Sequence, residues 1–175
     1  MTIHKEGHKI IRNIFLALLI LNLGIYFLTP SENLHWFVLG VSIVFFFIVV
    51  RFFRVPSRPI PYGPNNILCP ADGKVVAIEE TTEDEFFKDK RLQISIFMSI
   101  WNVHVNWHPI EGKIEYFKHH PGKFMLAKNP KSSLLNERAS LAIRKDEDRA
   151  IMVRQIAGAA AKRIVTYANV GKEVN

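Results

Sequence analysis

Among the 175 residues there is one cysteine, Cys69. It has no second thiol with which to form an intramolecular disulfide or a thiolate metal cluster. A disulfide-stapled secreted domain is therefore excluded, and a reducing compartment is the simpler setting. A glycine-rich phosphate loop, a Rossmann fingerprint and a G-x-S-x-G elbow are also missing. Eight of the 20 aromatics fall in two apolar runs, and the aromatics do not interleave with lysine and arginine as a stacking platform would, which disfavours nucleic-acid binding. Acidic residues are the scarcer sign: 16 Asp+Glu against 23 Lys+Arg leave a net charge of +7. That balance favours anionic partners, phospholipid head groups or an acidic substrate. With 49% hydrophobic and 22% charged residues, the composition is that of a folded chain of about one ordinary domain.

The apolar residues are concentrated near the start. Residues 14–28 read IFLALLILNLGIYFL and residues 34–50 read LHWFVLGVSIVFFFIVV, neither with a formal charge. As helices these runs reach roughly 23–26 Å, a little short of the ~30 Å hydrocarbon core. Ile10, Ile11, Phe52 and Phe53 can extend them. Between them Thr29-Pro30-Ser31-Glu32-Asn33 offers a helix breaker and two N-cap residues, as a tight helical hairpin requires. Lys5, Lys9 and Arg12 precede the pair, Arg51, Arg54 and Arg58 follow it, and the connection carries no positive charge. The positive-inside rule then places both ends, and the rest of the chain, on the cytoplasmic side of the cell membrane. The expectation is a membrane-anchoring hairpin over 1–53, transmembrane or re-entrant.

Pro56, Pro59, Pro61 and Pro64 make 54–66 an extended linker. Over 67–175 the pattern predicts a β-rich domain with strands at 74–78, 92–97, 103–107, 113–117, 141–144, 151–156 and 163–167. Residues 123–138 carry the poorest strand signal and read as an irregular loop. The expected fold is mainly β, a sandwich or partly closed barrel. Asp72-Gly73-Lys74-Val75 and Glu111-Gly112-Lys113-Ile114 echo each other, each entering a strand from a turn.

Four segments could carry chemistry. Cys69-Pro70-Ala71-Asp72-Gly73 places a carboxylate in a turn before an apolar strand. In a strand over 103–107, His104, Asn106 and His108 would share one face, suited to an anion, a metal or a reacting proton. A zinc site is disfavoured, because no third ligand stands at metal spacing. His119-His120-Pro121-Gly122-Lys123 reads as a basic, turn-like loop that could meet an anionic substrate through His120 and Lys123. Asn136-Glu137-Arg138 could orient neighbouring groups by hydrogen bonds.

Taken in order, FFRVPSRPIP from Phe52, CPADGKV, SIWNVHVN, HPGKF, NER and QIAG resemble the phosphatidylserine decarboxylases, the short bacterial and archaeal branch in particular. The resemblance runs from about Phe52 to Asn175. It implies a pyruvoyl-dependent carboxy-lyase made as a zymogen, which converts phosphatidylserine to phosphatidylethanolamine and CO2 in phospholipid biosynthesis. The substrate amine would form a Schiff base to the pyruvoyl group. That group would arise by autocatalytic cleavage at a Gly-Ser bond, leaving a larger β and a smaller α subunit.

Residue by residue, the resemblance assigns catalytic roles to Asp72 and His104, the carboxylate and base of a Ser-His-Asp logic. His108, His120 and Lys123 are further catalytic or substrate-binding candidates. Longer members carry two histidines three apart where this chain has them four apart, and Trp107 stands where the second would align. No Gly-Ser dipeptide occurs in the 175 residues. The expectation is therefore that the serine lies beyond them, that the β domain is incomplete at its C-terminus, and that this chain alone is inactive. The implied partners are the smaller α subunit, phosphatidylserine and anionic membrane, with a second copy at family level. The alternatives are an archaetidylserine-type decarboxylase and a non-catalytic membrane-tethered relative. A lipoyl-like carrier is disfavoured, since neither Lys74 nor Lys113 sits at a turn tip between matching strands.

Overall fold

A computed structural model describes residues 1–59, 63, 66–126 and 131–174. Part of the proline-rich segment and part of the stretch before Ser132 lie outside the described residues. The chain divides into two compact units, one of Met1–Ile60 with Met98–Val105, the other of Pro61–Phe97 with Asn106–Asn175.

In the first unit, α1 (Lys5–Leu28) and α2 (Glu32–Phe52) form the hairpin. Their 24 and 21 residues give lengths of roughly 36 and 32 Å. Both exceed the bare apolar runs: α1 starts about two turns earlier, at Lys5, and α2 gains two residues at each end, Glu32 and Asn33 before the run and Arg51 and Phe52 after it. Ser31 caps α2, its hydroxyl accepting from Leu34 N, and Pro30 stops the first helix from running on. Phe15 and Phe46 meet with ring centres 5.7 Å apart. Asn22 Nδ2 donates to Ser42 Oγ at 2.9 Å and to Leu18 O at 2.8 Å, a polar tie between helices that otherwise turn apolar side chains outward. Both helices are long and apolar enough to cross a membrane. A two-residue antiparallel pair, β1 (Thr2–Ile3) with β2 (Arg54–Val55), closes the far end of the hairpin.

The second unit holds two sheets. β3 (Lys74–Glu83) and β4 (Asp89–Phe97) make an antiparallel hairpin. β5 (Gly112–His120), β6 (Arg138–Arg144), β7 (Ala150–Ile156) and β8 (Glu173–Val174) form a four-stranded sheet in the order β7-β6-β5-β8. That sheet curls as half a barrel, so the fold is mainly β with an N-terminal helical hairpin. Its centre is the cross-strand pair Ile114 and Ile143, both fully buried, with Val174 beside them. α3 is a single turn, Ser132–Leu135.

The two acidic-Gly-Lys turns are structurally equivalent. Lys74 pairs with Phe97, and a Cβ on Gly73 would stand 2.5 Å from Phe97 O. Lys113 pairs with Arg144, and a Cβ on Gly112 would collide with Arg144 O. Each register then shifts one residue on, between Val75 and Ala77 and between Ile114 and Tyr116. Each glycine thus lets a strand start pass directly over a carbonyl, and the bulge that follows bends the strand away.

Two expected strands are not strands. Residues 103–107 alternate but run outside any sheet, so His104, Asn106 and His108 do not share a strand face. Residues 107–109 are held instead by two bonds, Leu68 N to Pro109 O at 2.8 Å and Trp107 N to Pro70 O at 2.9 Å. Both end on prolines, which have no N–H to return, so no ladder can propagate. Residues 163–167 are likewise not a strand, because Ile164 N donates to a carboxylate of Glu137 at 3.0 Å rather than to a neighbouring chain. Conversely, His119 and His120 are the last residues of β5 rather than a loop, and the turn starts only at Pro121.

Candidate active site

His104 lies two residues beyond a locked turn. Asn102 Oδ1 accepts from Ser99 N at 2.8 Å and Ser99 Oγ at 2.7 Å, while Asn102 N returns to Ser99 O at 3.0 Å. Val103 is buried, so the backbone on the N-terminal side of His104 is fixed. The imidazole stacks on Phe52, the last residue of α2, with ring centres 3.9 Å apart and planes inclined by 22°. Its Nδ1 is buried without a hydrogen-bond partner of good geometry. Burial pushes its pKa below the ordinary 6.5; the Asn102 backbone opposes this and the Arg54 charge adds to it. At neutral pH the ring is therefore an uncharged base with an available nitrogen.

Asp72 and His108 both belong to the second unit. Asp72 occupies a half-buried bend just before β3. The two bonds that end on Pro70 and Pro109 hold the PADG turn to the segment carrying His108. His108 is half-buried, and burial lowers its pKa with help from the Lys172 charge.

The HPGKF, NER and QIAG segments meet in one knot. Asn136 is fully buried; its Oδ1 accepts from Met125 N at 2.9 Å, and its Nδ2 donates to Met125 O at 2.9 Å and Ala157 O at 2.8 Å. Lys123 N donates to Leu135 O and Glu137 N to Lys123 O, at 2.7 and 3.0 Å, while Ala157 N reaches Glu137 O at 2.8 Å. A Cβ on Gly122 would run into the Asn136–Glu137 peptide, so the close approach requires glycine. The Glu137 carboxylate accepts from Ile164 N and pairs with His119 Nε2 at 3.1 Å. The Lys123 side chain is exposed.

His120 sits in a cluster whose other members had no sequence signal. Its Nε2 is 3.2 Å from Glu85 Oε1, within ion-pair distance but without hydrogen-bond alignment. Arg154 Nη2 lies 3.2 Å from both Glu83 Oε1 and Glu85 Oε1, and its Nε donates to Ser140 Oγ. Glu83 also accepts from the backbone of Glu85, Phe86 and Phe87, closing the β3–β4 turn. Glu83 and Glu85 lie far in sequence from Arg154 and His120 and are ordinary in type, so only the fold reveals the cluster.

The sequence profile of the family described as phosphatidylserine decarboxylase matches residues 45–175. The chain belongs to the phosphatidylserine decarboxylase family. It is similar to a phosphatidylserine decarboxylase proenzyme from Cytophaga hutchinsonii, 47% identical over 99% of this chain and 80% of that relative. Proenzymes of the same name from Amoebophilus asiaticus and Bacteroides thetaiotaomicron are 48% and 47% identical, covering 78% and 75% of their lengths. The match runs through both units.

Proposed function

We propose that the chain is the main, β-subunit part of a membrane-bound phosphatidylserine decarboxylase. It converts phosphatidylserine to phosphatidylethanolamine by removing the carboxylate as CO2 and returning a proton to the same carbon. The two helices cross the cytoplasmic membrane, and the β-rich part faces the cytoplasm, where the basic flanks at Arg12 and Arg51 meet anionic head groups. The reading rests chiefly on His104, which stands in a family-matched segment with its imidazole stacked on Phe52 and an Nδ1 that makes no hydrogen bond of good geometry among the described residues.

In this reading His104 takes the proton from the serine hydroxyl that opens the proenzyme, and Asp72 is the carboxylate that the family resemblance adds to this Ser-His-Asp logic. No Gly-Ser bond at which that serine could stand occurs among these 175 residues. The resulting pyruvoyl group, when present, supplies an electron sink for the charge left by the departing CO2. The donor set fits such a group, since a buried, uncharged imidazole can both accept the hydroxyl proton and later deliver one to the substrate carbon. His108, His120 and Lys123 are the candidates for holding the anionic lipid head.

The test uses the full-length proenzyme in phosphatidylserine vesicles. Asp72→Asn and His104→Ala should each leave uncut precursor on a gel and form no phosphatidylethanolamine. Normal cleavage in both variants would remove the catalytic assignment.

A further inference from the structure

Resting on the reading of His104 as catalytic, we propose that Phe52 and Arg54 are positioning residues for its imidazole. The second helix would then place a catalytic side chain as well as attach the chain to lipid.

The geometry lies within one compact unit. Phe52 offers a flat face to the ring at 3.9 Å. Arg54 joins the helix end to the turn before His104, donating from Nη1 to Arg51 O at 2.9 Å and from Nη2 to Trp101 O at 2.8 Å. The platform is itself braced. Phe53 packs edge-on against Phe52 with centres 5.2 Å apart, His4 N donates to Phe53 O at 2.9 Å, and Ile3 pairs with Arg54. Gly7 makes room for this, because a Cβ there would stand 2.5 Å from the Phe53 ring.

A histidine base is usually oriented through its second nitrogen. Here Nδ1 makes no hydrogen bond of good geometry among the described residues, so the stack and the fixed backbone on either side of Trp101 set the ring plane before any carboxylate adds to it. Ring stacking orients without neutralising charge, and it keeps water from one face of the imidazole. Arg54 is the charged group that bears on the ring, and it too disfavours the imidazolium. The same two residues thus hold the plane of the base and its uncharged state.

The experiment compares Phe52→Ala, Phe52→Tyr, Phe52→Leu and Arg54→Ala in lipid nanodiscs. His104 is titrated by NMR in the chain, and the pH profile of self-cleavage is followed in the proenzyme. Phe52→Ala should raise the His104 midpoint toward 6.5, move the acid limb of cleavage the same way, and slow cleavage roughly tenfold or more. Phe52→Tyr should restore all three, and Phe52→Leu, which keeps the helix apolar, should not. Arg54→Ala should slow cleavage while also raising the midpoint. All four variants should pellet with membranes as the parent does. An unchanged midpoint and profile in Phe52→Ala, or a Tyr variant as impaired as the Ala variant, would overturn the proposal. Should His104→Ala cleave normally while Phe52→Ala still moves the titration, the catalytic reading fails and the placement stands.

Discussion

The imidazole of His104 lies on the phenyl ring of Phe52, with planes inclined by only 22°. A residue from the middle of the chain thus rests on the last residue of an apolar helix that begins at Glu32. The contact ties the SIWNVHVN segment to the hairpin more tightly than sequence order suggests. It also explains why Met98–Val105 clusters with the first sixty residues.

Stability should fall as the solution is acidified, in two stages. His104 and His108 have folded pKa values below the ordinary 6.5, so the unfolded chain binds protons that the folded chain refuses. Their contribution is intact above about 6.5 and is lost as pH falls through that value toward their folded pKa. Burial, the largest single influence, raises Glu83, Glu85 and Glu137, but several opposing partners together bring each below the ordinary 4.5: backbone N–H groups and Arg154 for Glu83, Ser140, Arg154 and His120 for Glu85, and Ile164, His119 and Arg163 for Glu137. Their contribution is present above 4.5 and is lost as pH drops through their folded values. Denaturant midpoints from pH 8 to 3 should show a gentle decline and then a steeper one; a flat curve down to pH 5 would contradict the histidine part.

The strands from Lys74 to Ile156 and the hairpin were legible because each runs long enough to show its period. Alternation alone misled at 103–107, where the partner strand would have to be built from residues flanking Pro70, and proline carbonyls accept without returning a bond. It misled again at 163–167, where the Glu137 carboxylate takes the place of a neighbouring strand. The histidines at 119 and 120 looked like loop because Pro121 and Gly122 follow at once, yet β5 continues to His120. Asp72 and His104 could be named from the family motifs. Phe52 and Arg54 stand in such a motif without a role, and Glu85 and Arg154 stand in none, since their types are common and their partners are distant in sequence.

Asn136→Ala should be among the most destabilising single changes. It removes three hydrogen bonds at a fully buried site and strands the polar backbone of Met125 and Ala157. At about 1–3 kcal/mol for each group left unsatisfied, a loss of several kcal/mol is expected, read as a lower denaturant midpoint. A change below about 1 kcal/mol would show that water replaces the side chain.

Gly122→Ala should fail for a different reason. Its methyl group would meet the backbone between Asn136 and Glu137, which cannot move without breaking the Lys123–Leu135 and Glu137–Lys123 bonds. The expected readout is faster proteolysis around residues 122–126 in limited digestion. A digestion pattern like that of the parent would mean that the two segments part more easily than their bonding implies.

Removal of residues 1–50 should release the remainder from membranes, since both long apolar helices go with them. Flotation of the truncated chain on anionic vesicles is the check. Continued flotation would point to a second attachment surface on the basic β-rich part.

An intact-mass spectrum of the protein purified from its native gene tests the central claim most directly. The account predicts two chains. The larger would end in glycine, and the smaller would be blocked at its N-terminus and lighter than a serine-initiated chain by one ammonia, as a pyruvoyl group requires. A single uncut chain with no blocked partner would contradict it.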